Sequence, residues 1–113
     1  THIPICYAYK LNGKVVISGD TAPDLKLATF AKNINLLIHE ATFFFFFHNL
    51  AHRLNHSTPL DAAKIARKAQ VQQLVLTHLP KLEKHEKSFF LQNARDVFPE
   101  IQIAEDRDVL FTD

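Results

Sequence analysis

Residues Val15-Val16-Ile17-Ser18-Gly19-Asp20-Thr21 decide how this chain is read. Three β-branched apolar residues favour a half-buried strand. They run directly into a small-residue turn, where Gly19 permits a sharp bend and Asp20 presents a carboxylate. Three more polar clusters occupy comparable places, at the end of an apolar run or in a tight loop. They are His39-Glu40-Ala41-Thr42, His56-Ser57-Thr58 and Thr77-His78. If the apolar runs are neighbouring strands, all four clusters gather along one edge of a sheet. Open α/β sheets bind ligands beyond the C-terminal ends of their strands.

Upstream, Asn12-Gly13 separates two strand-like runs, over residues 5–11 and 14–17. Both residues tolerate positive φ, so the pattern predicts an antiparallel hairpin. Downstream, Pro23 is expected at the first position of a helix whose apolar face is Leu25, Leu27, Ala28 and Ala31, ending near Lys32. Residues 34–38 are apolar on both faces, as in a central strand covered on both sides. Thr58-Pro59-Leu60-Asp61 reads as a capped helix start, followed by the narrow face Ala62, Ile65, Ala66 and Ala69. A strand over 71–76 follows. A last helix beginning within 81–87 carries the stripe Phe90, Ala94, Val97 and Phe98 and is stopped by Pro99. Short strands at 101–104 and 109–111 close the chain. The fold class is α/β, in one layer with no internal repeat.

Five consecutive phenylalanines, residues 43–47, interrupt this pattern. They cannot all point one way in a regular element. Some are expected in the core, and others against a partner surface, a membrane surface or a substrate.

The 113 residues suffice for one core, read as a single partial domain over 1–113; the chain lacks an initial Met and reads as a piece of a longer protein. A net charge of +1 excludes a strong overall field for nucleic acid but leaves room for a local basic patch. The single cysteine, Cys6, excludes an internal disulfide framework and fits a reducing cytoplasm. No leader-like basic and apolar pattern opens the chain, and no apolar run reaches membrane-spanning length.

The clusters suggest specific chemistry. A carboxylate at Asp20 can bind or bridge a divalent metal, and the His78 imidazole can ligate zinc. Along a strand His39 and Glu40 face opposite ways, so only one looks into a site, and Glu40 is favoured. His56 can serve as a general acid oriented by Glu40. It precedes a helix start, whose backbone N–H groups, beside Ser57 and Thr58, suit a phosphate. Taken singly, each residue also fits a plain turn, loop or capping role. His2, His48, His52 and His85 are read as surface or packing residues.

Taken together, Ser18-Gly19-Asp20-Thr21, His39-Glu40-Ala41-Thr42-Phe43, His56-Ser57-Thr58 and Leu76-Thr77-His78 resemble the C-terminal half of the metallo-β-lactamase αββα sandwich. Within that fold they are most similar to the ribonuclease Z and arylsulfatase-like branch. The resemblance extends over residues 14–111. It implies a hydrolase with two zinc ions per complete site, bridged by Asp20 and bound by His78. It also implies that His56 protonates the leaving group or holds the scissile phosphate and that Glu40 steadies it; from their place at the helix start, Ser57 and Thr58 are expected to bind substrate. The implied substrate is RNA, precursor tRNA cut at its 3′ trailer; the alternatives are a sulfate ester or a small or cyclic phosphodiester. The branch's main metal motif, His-x-His-x-Asp-His, is absent from this sequence. Catalysis therefore requires another segment or chain. A half-sandwich would expose one flank and favour a homodimer. The rival reading from another class is a non-catalytic α/β interaction module.

Overall fold

The structure, a computed structural model, describes residues 8–19 and 21–104. Asp20, Cys6 and the strand expected at 109–111 lie outside the described residues.

Five strands form one sheet in sequence order: β1 (Ala8–Leu11), β2 (Val15–Ser18), β3 (Leu36–Glu40), β4 (Gln73–Thr77) and β5 (Ile101–Ile103). The β1–β2 pair is the expected antiparallel hairpin. Its turn has φ of 52° at Asn12 and 66° at Gly13, and Lys14 N–H donates to the Leu11 carbonyl at 2.9 Å. Strands β2 to β5 are parallel, each beside its predecessor. Right-handed crossovers between such neighbours put every connecting helix on one face. Accordingly α3 (Pro59–Ala69) packs against both α1 (Leu25–Phe30) and α5 (Ala94–Val97).

The core lies between this helix layer and the sheet. Val16, Leu37, Leu74 and Ile101 are consecutive register partners across β2 to β5, and all are buried. Each apolar side chain so buried contributes about 1.5–3 kcal/mol. Ala62, Ala66 and Ala69 of α3 have no exposed surface. Their small side chains let the helix lie close on β3 and β4. On the opposite face Ile17, Ile38 and Val75 form a second apolar row, which continues to the largely exposed Tyr9.

Several expectations about boundaries are corrected. Pro23 precedes the α1 cap rather than opening the helix, because Asp24 is the cap and accepts from Lys26 N–H at 2.8 Å. Leu25 is exposed and contributes nothing to the α1 core face. Strands β3 and β4 run through Glu40 and Thr77 rather than stopping at the last apolar residue, since these two residues are themselves ladder partners. The single last helix is instead a 3₁₀ turn at Lys84–Glu86, then α4 (Lys87–Phe90) and α5, separated by residues 91–93. Its apolar stripe survives the break, with Phe90 and Ala94 buried and Val97 and Phe98 packed on the core.

The phenylalanine run forms a 3₁₀ turn, Phe45–Phe47, leading into α2 (His48–Arg53). Phe44 meets buried Phe90 edge-on at a centroid distance of 5.0 Å. Phe46 and Phe47 are about half exposed. The run therefore divides between core and surface.

Candidate functional site

The C-terminal edge of the parallel strands collects the polar clusters around Glu40. This residue ends β3 with no exposed surface. Its Oε1 accepts from Ser57 N–H at 2.8 Å and from Thr21 N–H at 3.2 Å, and lies 3.2 Å from His56 Nδ1. Its Oε2 accepts from Thr42 N–H at 3.0 Å and from the Thr42 hydroxyl at 2.8 Å. One carboxylate thus satisfies donors from the loop after β2, the loop after β3 and the loop before α3. A buried carboxylate is costly unless its oxygens are paired, and here five donors pair them.

A carboxylate only accepts, so the Nδ1 of His56 carries the proton that faces it. That leaves Nε2 of a neutral ring as the acceptor. The ring is about a quarter exposed and packs beside Phe43, at a centroid distance of 5.9 Å. His56 N–H donates to the Ala51 carbonyl at 2.7 Å, which ties the residue to the end of α2.

Ser57 and Thr58 are buried and engaged within the chain. The Ser57 hydroxyl donates to the Thr21 carbonyl at 2.6 Å. Thr58 and Asp61 form a capping box: Asp61 N–H donates to Thr58 Oγ1, and Thr58 N–H donates to Asp61 Oδ2. The N–H groups of Ser57 and Thr58, at the helix start expected to face an anion, are engaged by the Glu40 and Asp61 carboxylates. His52, read from the sequence as a surface or packing residue, places Nε2 at 2.8 Å from Asp61 Oδ2 and joins α2 to this cap.

His39 is the strand neighbour that turns away. Its ring is fully buried on the helix side, with Nδ1 2.8 Å from the Glu40 carbonyl and no partner for Nε2 among the described residues. Burial pushes its pKa well below the usual imidazole range, against the opposing pull of the Glu40 carbonyl and of the Glu40 and Asp61 charges. Burial thus favours the neutral ring, and because a carbonyl only accepts, Nδ1 carries a proton.

His78 follows Thr77, the ladder partner of Glu40, and adopts φ of 52°. A left-handed backbone in a residue with a Cβ costs about 1–2 kcal/mol and turns the chain sharply off the end of β4. A cavity of about 570 Å³ opens there, lined in part by Thr77, His78, Lys81, Leu82 and Lys87. Glu40, His56 and Ser57 are thus brought together through one carboxylate, with Thr58 held next to them by Asp61 and His78 one residue beyond the strand partner of Glu40. Asp20 lies outside the described residues. Thr21 and Thr42, which the sequence reading did not select as site residues, supply three of the five donors to Glu40. The sequence signal for each is its place in a quoted motif, Thr21 closing Ser18-Gly19-Asp20-Thr21 and Thr42 standing two residues after Glu40. Among the described residues no three His, Cys, Asp or Glu side chains converge to hold a metal ion.

No family model matches the chain. It is 41% identical to ribonuclease Z of Brevibacillus brevis over 82% of this chain and 31% of that protein. It is 39% identical to ribonuclease Z of Archaeoglobus fulgidus over 82% of this chain and 30% of that protein. Among solved structures, a metallo-β-lactamase fold protein from Bacillus subtilis superposes with a TM-score of 0.70 at 32% identity, covering 80% of this chain and 36% of that one. The short form of human tRNase Z superposes with a TM-score of 0.65 at 28% identity, covering 86% of this chain and 32% of that one. The chain spans about a third of the length of the curated relatives it matches. Its described residues carry part of the metallo-β-lactamase fold, and its sequence is similar to that of ribonuclease Z.

Proposed function

We propose that this chain is a partial domain from the C-terminal part of a metal-dependent phosphodiesterase of the ribonuclease Z type, an endonuclease that cuts precursor tRNA at its 3′ trailer. The observation that carries the reading is the buried Glu40 carboxylate holding His56 at the C-terminal edge of the sheet, on the strand paired with the one that delivers His78. With Nδ1 fixed on Glu40, protonation at Nε2 makes His56 a general acid for the departing oxygen. Glu40 is the positioning residue, and it stabilises the imidazolium by its charge. Ser57 and Thr58 serve substrate indirectly, by fixing the loop that presents His56. Similarity to ribonuclease Z over four-fifths of the chain supports RNA as substrate.

The family implies metal use, and we assign zinc, with Asp20 and His78 as the contribution of this chain. The described residues do not by themselves make such a site, so its other ligands must come from outside them. Bound zinc would supply an activated water and neutralise charge on the phosphate. We further assign the protein to the cytoplasm and to a homodimer. Among the described residues no helix is long and apolar enough to cross a membrane.

The test joins this chain to the remaining two-thirds of the Brevibacillus brevis relative. Bound metal is measured by elemental analysis, and cleavage is followed on a precursor tRNA labelled in its trailer. Metal binding lost in Asp20→Ala and His78→Ala, and cleavage slowed about 10²–10⁴-fold in His56→Ala, are the expected results. A folded chimera that binds no metal and leaves the trailer intact would overturn the reading in favour of an interaction module.

A further inference from the structure

The end of the domain opposite the candidate site carries a basic concavity. Its volume is about 530 Å³, and its lining is Lys32, Lys64, Arg67, Lys68, Gln70 and Val97. Four cations from two separate segments converge there, and no carboxylate lines it. None of the four makes an ion pair among the described residues, and all four are exposed. This concentration stands out in a chain whose net charge is only +1.

Two ordinary explanations fall short in magnitude. Arg67 and Lys68 occupy the last turn of α3, where cations favour the helix dipole. That terminus is equivalent to only about half a negative charge, against four positive ones. Lys64 lies three residues before Arg67 and four before Lys68, so it shares a helical face with each and repels each by a few tenths of a kcal/mol. Lys32, beyond the end of α1, adds to that repulsion from a separate segment. Packing does not require the charges either, because the core face of α3 is Ala62, Ile65, Ala66 and Ala69.

We propose that this concavity binds the phosphate backbone of the RNA substrate at a point remote from the cleaved bond. The inference rests on the ribonuclease Z reading and deepens it. His56 stands just before the first turn of α3 and Arg67 in its last turn, so the two ends are about 15 Å apart along the helix. A small phosphodiester cannot touch both ends, whereas a polynucleotide can. Exposed lysines and an arginine on flexible stems are suited to backbone phosphates, which position a nucleic acid without reading its sequence. The guanidinium of Arg67 can take two phosphate oxygens at once.

The test is binding of a fluorescent precursor tRNA to this chain, followed by anisotropy from about 50 to 200 mM salt. The variant is Lys64→Gln with Arg67→Gln and Lys68→Gln. A control with equal charge loss carries Lys26→Gln, Lys84→Gln and Arg95→Gln. Circular dichroism verifies that both remain folded. The expected result is a Kd raised about tenfold or more in the patch variant alone, with its salt slope reduced by about 2–3. Equal weakening in the control, or undiminished binding in the patch variant, overturns the proposal and leaves the ribonuclease reading intact. No binding of precursor tRNA by the unaltered chain, with capture on phosphatidylserine vesicles instead, overturns the proposal in favour of a membrane surface. Cleavage by the chimera then decides separately whether the ribonuclease reading stands.

Discussion

The Nδ1 atom of His56 lies 3.2 Å from Oε1 of Glu40, a residue with no exposed surface. The same carboxylate holds the N–H groups of Thr21, Thr42 and Ser57. Glu40→Ala would leave these buried or half-buried donors without a partner, and the expected loss of stability is about 3–5 kcal/mol. Glu40→Gln keeps the shape but turns an NH₂ group toward donors, so it too destabilises. Urea unfolding of the two variants checks this. A loss below about 1 kcal/mol for Glu40→Ala would show that the loops close without it.

His39 makes stability depend on pH. Its folded-state pKa lies below its unfolded value of 6.5, because burial disfavours the imidazolium. Below that value the unfolded chain binds a proton that the folded chain excludes. Stability is therefore lost as pH falls from 6.5 toward the folded-state value, by up to about 1.4 kcal/mol per pH unit. Above 6.5 this residue adds no pH dependence. Unfolding midpoints between neutral and mildly acidic pH should show the slope, and His39→Asn should flatten it. An unchanged slope in that variant would assign the acid sensitivity to other groups.

Thr58→Ala removes the side-chain half of the capping box at the start of α3. The Asp61 N–H loses its acceptor, and the expected cost is about 1–2 kcal/mol. Thr58→Ser keeps the hydroxyl and should recover most of it. Thermal melts of the two variants provide the comparison, and equal melting temperatures would refute a capping role.

Within the phenylalanine run the variants should divide as the rings do. Phe44 touches buried Phe90, and Phe44→Ala should cost about 2–3 kcal/mol. Phe46 is 54% exposed, and Phe46→Ser should change stability by less than about 0.5 kcal/mol. Binding of a hydrophobic dye should fall in Phe46→Ser if the exposed rings form an adhesive patch. Equal destabilisation by both changes would contradict the division.

The hairpin, the parallel strands and the buried face of α3 are legible in the sequence because each leaves a periodic or turn-specific trace. Asn12-Gly13 dictates the turn, and the spacing of Ala62, Ile65, Ala66 and Ala69 dictates the face. Strand ends are less legible. Ladder hydrogen bonds continue through Glu40 and Thr77 regardless of side-chain polarity, so an apolar run marks too early an end. The break between α4 and α5 left no Pro or Gly to announce it. The Thr58-x-x-Asp61 start is readable as a capped helix, yet its consequence is tertiary: the cap uses the N–H groups that an anion would need. Glu40 and His56 are recognisable as a pair, whereas the Thr21 and Ser57 amides that anchor Glu40 become its neighbours only after folding. The basic concavity likewise joins Lys32 to α3 across 32 residues of chain, counted from Lys32 to Lys64.

The anchoring of three loops on one side chain also governs motion. The amides of Thr21, Thr42 and Ser57 all end on the Glu40 carboxylate, so displacement of that side chain deprives all three of their acceptor. The Ser57 hydroxyl bound to the Thr21 carbonyl couples two of the loops a second time. Hydrogen exchange at these amides should therefore follow a single opening event, in the manner of one cooperative unit. Loops at the rim of a sheet ordinarily fluctuate independently; a shared anchor ties these three to one another, and such exchange would mean that this edge has its shape before anything binds to it.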